Sequence, residues 1–104
     1  MKLIKELSEM IEDEINDVRK YAKFALEIKE EHPALSDVLF GISRQESDHM
    51  NKLHDQVSKL ITEYRETNGE PPVEMLAVYE YLHKKEIEDY ADARRYQDIF
   101  AGRY

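Results

Sequence analysis

Along the start of the chain, Ile4, Leu7, Ile11, Glu14, Val18, Tyr21, Ala25 and Ile28 recur at alternating steps of three and four, an apolar line with one carboxylate in it. That spacing is the stripe of an amphipathic helix, and Glu12, Asp13, Asp17, Lys20 and Lys23 fall off it. The pattern predicts a helix over about 2–30, stopped by His32-Pro33 because a residue before proline is pushed out of helical geometry. A second stripe, Leu35, Leu39, Ile42, Glu46, His49, Leu53, Gln56 and Leu60, predicts a helix over about 34–66, closed by Asn68-Gly69. Arg44, Asp48, Lys52, Asp55 and Lys59 lie off that stripe. A third helix follows Pro71-Pro72 over about 72–100, carrying Leu76, Tyr79, His83, Glu86 or Ile87, Tyr90 and Phe100. The expected fold class is all-α, an antiparallel helical hairpin plus a third long helix, in a single domain spanning 1–104.

The polar members of these stripes are where chemistry is to be sought. Glu46 and His49 stand three residues apart, so a helix presents a carboxylate oxygen and an imidazole nitrogen on one face, which is metal-ligand spacing. A buried carboxylate needs a compensating partner. Folding the first two helices about their short turn pairs residue i with about 63 minus i, which sets Glu14 opposite His49 with Glu46 one turn away. Glu14, Glu46 and His49 are therefore the candidate metal ligands and catalytic residues.

The third helix offers Glu80, His83 and Glu86 at the same spacing. With a tight turn near Gly69, residue j faces about 140 minus j, which puts these three about 12 Å from the level of Glu46 and His49. They read as a polar edge or an interface contact. His54 reads as a surface residue, His32 as turn chemistry, and Tyr79, Tyr81, Tyr90 and Tyr96 as subunit packing.

Three ligands per chain are too few for a two-metal centre, and a two-fold dimer doubles them. Four carboxylates and two imidazoles are the ligand set of the di-iron and di-manganese carboxylate bundles. Composition agrees with that chemistry. A formal charge of −8, from 15 Lys plus Arg against 23 Asp plus Glu, repels nucleic acid and anionic membranes and attracts cations. The chain has no cysteine, which removes disulfides, thiolate sites and iron–sulfur clusters. No apolar run spans a membrane and no apolar signal segment is present, so the expectation is a cytoplasmic protein.

Over residues 10–53 the chain resembles the ferritin-like superfamily, rubrerythrins and encapsulated ferritins most closely. Glu12-Asp13-Glu14-Ile15-Asn16-Asp17-Val18-Arg19-Lys20-Tyr21 looks like that family's first helix, with its metal-binding Glu seven residues before a Tyr. Leu35-Ser36-Asp37-Val38-Leu39-Phe40 through Arg44-Gln45-Glu46-Ser47-Asp48-His49 is similar to its second, ending in the Glu-x-x-His ligands. The resemblance implies a dimer forming a ferritin-like four-helix bundle, Glu14, Glu46 and His49 as ligands, and Tyr21 as a hydrogen bonder behind them. It also implies two iron ions per dimer interface, and either a ferroxidase feeding iron storage or detoxification, or a peroxide-consuming oxidase. Manganese or zinc suits the same ligands.

Ordinary family members carry both ligand motifs in one chain, whereas encapsulated ferritins dimerise, assemble further into rings and dock to a shell protein inside a nanocompartment. The end of this chain, Asp98 to Tyr104, does not clearly look like a docking tail. Two other classes stay open: a metal-free helical interaction module whose polar cluster fixes register, and a non-catalytic zinc or manganese binder.

Overall fold

The computed structural model describes residues 2–102, apart from the side chains of residues 74, 75 and 78. Residues 1, 103 and 104, which belong to the expected domain and to its C-terminal stretch, lie outside it. Three helices make up the described chain: α1 (Lys2–Ile28), α2 (Pro33–Asn68) and α3 (Val73–Phe100). Local chemistry sets the boundaries. Pro33 occupies the start of α2, where its missing N–H is no loss. Gly69 ends α2 with φ 78°, a left-handed conformation that favours glycine, and its N–H donates to the Arg65 carbonyl at 3.0 Å.

The helices form a slender rod of 55 × 20 × 18 Å. α1 and α2 are antiparallel neighbours along most of their length, and α3 returns parallel to α1 and packs mainly against it. Arg19 of α1 pairs with Asp92 of α3 at 3.3 Å, and the Lys29 amine donates to the Phe100 carbonyl at 3.1 Å. Phe100 stacks on Phe40 of α2 with ring centroids 4.2 Å apart, closing that end of the rod. Two apolar clusters fill the interior. One joins Ile11, Ile15, Val18, Met50 and Ala93, and the other joins Ala25, Leu39 and Phe100.

The registers expected from the turns are those observed. Glu14 lies level with His49, and Gln97 lies level with Ser43. The core-facing side of α1 and α2 is rotated part-way from the apolar stripe: Ile4, Ile11, Val18, Ala25 and Leu39 of the stripes are buried, and their other members are not. On α1 the buried residues are Ile4, Ser8, Ile11, Ile15, Val18, Ala22 and Ala25, so Leu7, Glu14, Tyr21 and Ile28 fall on the flank, half-buried. On α2 the buried line is Ser36, Leu39, Ser43, Ser47 and Met50, while Leu35, His49 and Gln56 are exposed.

Serine explains the rotation. It is small enough to let two backbones close up, and its hydroxyl finds a carbonyl instead of water. The Ser36 hydroxyl donates to the Ala25 carbonyl at 2.6 Å, and the Ser43 hydroxyl to the Val18 carbonyl at 2.7 Å. The Gln97 side-chain N–H then donates to Ser43 at 2.9 Å and to Ser47 at 3.2 Å, so one polar chain ties all three helices at mid-length.

Candidate metal centre

Glu14 comes from the middle of α1, and Glu46 and His49 from successive turns of α2, with the Ser36–Ala25 and Ser43–Val18 contacts fixing the register of the two helices on the side toward their turn. Their ligand atoms lie within 4.8 Å of one another. His49 Nδ1 is 3.7 Å from Glu14 Oε2 and 3.8 Å from Glu46 Oε1. The two carboxylates are largely covered, with side-chain exposures of 25% and 19%, whereas His49 is 54% exposed. The stripe analysis places both Glu46 and His49 inward. Glu46 does turn in, but His49 sits on the rim, because the rotation of α2 that buries Ser43 and Ser47 carries position 49 outward.

The electrostatics of this trio are set by two carboxyls held close together. A hydrogen bond to the Glu46 carboxyl, then burial, then the negative charge of Glu46 push Glu14 up to about 7, with His49 acting in the opposite direction. Glu14 Oε2 is buried and meets no hydrogen-bond donor among the described residues. Two adjacent acids with an orphaned oxygen and an imidazole within reach fit a hard divalent ion, which needs oxygen ligands and neutralises their repulsion. Tyr21 lies two turns further along α1 and packs against the cluster of Ala25, Leu39 and Phe100. Among the described residues no hydrogen bond joins its hydroxyl to the trio.

The third helix behaves as its register requires. Glu80, His83 and Glu86 do not reach Glu14, Glu46 or His49. His83 and Glu86 instead converge with His54 of α2, which brings the two ring nitrogens, His54 Nε2 and His83 Nδ1, to 3.4 Å. His54 lies off the face of His49, which by sequence marks it as a surface residue. Counting about the turn sets His83 level with Val57, one turn from His54, so counting alone does not give the pairing. Glu86 is only 7% exposed, and burial, with the charge of Glu12 added, pushes it up to about 7. No protein-family model, curated protein or solved structure matches this chain. The reading of these residues rests on their geometry and chemistry.

Glu14 and Glu86 give a pH dependence whose sign is fixed. Both are raised above the ordinary 4.5, so the folded state holds their protons more tightly than the unfolded chain does. Their contribution to stability is complete below about 4.5 and is lost as the pH rises through about 7. The metal-free wild-type protein is therefore expected to lose roughly 5 °C more in melting temperature than a Glu14→Gln, Glu86→Gln double variant between pH 5.5 and 8. Parallel thermal melts by circular dichroism measure this. Identical pH slopes in the two proteins would show that these carboxyls do not carry the effect.

Proposed function

We propose that the chain is one half of a di-iron carboxylate protein that oxidises ferrous iron, with the metal centre completed by a second copy of itself. The observation that carries this reading is the convergence of Glu14, Glu46 and His49 at one level on a flank of the hairpin that α3 does not cover. Arg19 and Glu12 mark the α3 side of α1, through Asp92 and Glu86. Glu14 lies on the opposite flank.

That flank is apolar beyond what a single chain hides. Helical spacing sets the exposed Leu3, Met10 and Phe24 of α1 beside the Glu14 line, and the exposed Leu35 and Val38 of α2 beside the Glu46–His49 line. Half-buried Leu7, Tyr21, Ile42 and Leu53 lie between them. Each apolar stripe is thus covered on one side by the chain's own helices and left open on the other. A second hairpin laid on this face by a two-fold axis covers the apolar residues and brings the second set of Glu14, Glu46 and His49 to the same level, forming a ferritin-like four-helix bundle.

In that arrangement the glutamates and His49 of both chains would hold two cations, the carboxylates supplying oxygen ligands and each His49 a ring nitrogen. Ferrous iron is the substrate. Each ion gives up one electron, so four ions and four protons reduce one dioxygen to two waters, or two ions and two protons reduce one peroxide to two waters. The carboxylates stabilise the ferric product, whose higher charge they bind more strongly. The half-exposed rim at His49 is the route by which iron enters, drawn by the chain's net negative charge.

Anaerobic addition of two Fe²⁺ per pair of chains, followed by air, tests the reading. The expected result is a dimer by mass in solution and an absorbance of oxo-bridged ferric iron. Tight zinc binding that Glu46→Ala removes, without that absorbance, identifies a non-catalytic binder, and no binding that depends on Glu46 identifies a metal-free polar cluster on this flank. Val38→Glu, on the exposed apolar flank and away from the ligands, is expected to shift the protein to monomer and lower the oxidation rate at least ~10-fold while preserving helicity. A Val38→Glu monomer that oxidised iron at the wild-type rate would exclude a shared centre.

A further inference from the structure

The groove between α2 and α3, floored by Ile4 and Ser8 of α1, has a volume of about 480 Å³ and holds a second group of ligands at the far side of the rod from the α1–α2 flank. We propose that His54, His83 and Glu86 form a mononuclear site for a divalent transition metal of the zinc class, separate from the Glu14–Glu46–His49 centre and complete within one chain. Three observations carry it.

First, the ligand atoms of the three residues lie within 4.8 Å of one another, and all three line the groove. Second, the separation of 3.4 Å between His54 Nε2 and His83 Nδ1 matches two imidazoles on one tetrahedral ion. Metal–nitrogen bonds of about 2.0–2.1 Å at the tetrahedral angle put the two nitrogens about 3.3–3.4 Å apart. Third, Glu86 is 7% exposed, and its buried Oε1 has no hydrogen-bond partner among the described residues. An orphaned buried carboxylate is a costly feature, and a cation removes the cost.

Two imidazoles and one carboxylate are ligands that zinc takes when it keeps a fourth position open, and all three residues line the groove. Glu12 of α1, whose charge bears on Glu86, stands behind it, so a dication also relieves the repulsion between these two acids. The two sites differ in kind. The flank centre is rich in oxygen and suits iron or manganese, whereas the groove site is rich in nitrogen and suits zinc, cobalt or nickel. This proposal is independent of the iron chemistry, and either can fail alone.

The full chain, free of any histidine tag and stripped of metal, is titrated with Zn²⁺ and with Co²⁺. In a Glu46→Ala background, which removes the flank centre, one equivalent per chain is expected to remain bound, and Co²⁺ is expected to give the intense visible bands of tetrahedral coordination. His54→Ala or His83→Ala in that background is expected to weaken binding at least ~100-fold. In the protein with both histidines intact, zinc is expected to shift the ring ¹⁵N and ¹H resonances of His54 and His83, a readout that no variant's folding can confound. Unshifted His54 and His83 resonances at saturating zinc overturn the proposal. So does binding that survives the double histidine variant, because the pair is then a hydrogen-bonded couple of rings and nothing more.

Discussion

Glu46→Ala is expected to abolish the oxidation of Fe²⁺ while leaving the metal-free protein at least as stable as the wild type. Glu46 supplies one of two carboxylates that face each other across the hairpin, and in the proposed dimer its loss would remove two of four. A two-metal centre does not survive with one carboxylate per chain, so iron-dependent activity falls by more than ~100-fold. Stability moves the other way above neutral pH. The hydrogen bond to Glu46 is the leading cause that raises Glu14, and without it Glu14 returns toward the ordinary carboxylate range and ionises at less cost. Stopped-flow oxidation, with urea melts of the metal-free proteins at pH 8, measures both effects. Retained oxidation would remove Glu46 from the ligand set. Lost oxidation with a collapsed melt would make it a structural residue.

The largest effect on folding is expected from Ser43→Leu. Ser43 is wholly buried where α1, α2 and α3 meet, so leucine there has no space to enter without separating the helices. The change also removes the hydroxyl that donates to the Val18 carbonyl and accepts from Gln97. Overpacking of about 1–3 kcal/mol and two lost hydrogen bonds of about 1 kcal/mol each sum to roughly 3–5 kcal/mol. That is a large share of the stability of a domain of this size, about 5–15 kcal/mol. Ser43→Ala loses the same two hydrogen bonds but keeps the close approach of the helices, so it is expected to cost only about 2 kcal/mol. Equilibrium urea unfolding of the two variants decides the matter. Similar midpoints for Leu and Ala would mean that the helices are not closely apposed at this level.

The open apolar flank links these two results. The Ser43 contacts set the azimuth of α2, and that azimuth leaves Glu46 half-buried and His49 on the rim. A variant that rotates α2 alters the metal centre without touching a ligand. The proposed groove site depends on the other end of the same helices, where His54 of α2 and His83 of α3 come together.

Much of this arrangement is written in the order of residues. The turns at His32-Pro33 and Asn68-Gly69 divide the chain into helices of known rise, and with the turns placed, the level of every residue follows by counting. That is why the sequence alone sets Glu14 opposite His49 and separates Glu80, His83 and Glu86 from that pair. Rotation about the helix axes is different. The stripe of apolar letters treats serine as a surface residue, yet Ser36, Ser43 and Ser47 are buried because each hydroxyl sits in the close contact between helices, and two of them donate to carbonyls of α1. No count along one helix reveals such a contact, since its carbonyl belongs to another. The pairing of His54 with His83 and the isolation of the Glu86 carboxylate have the same origin. They exist only once α3 lies along α1 and stands off from α2, a consequence of how three helix surfaces fill space together.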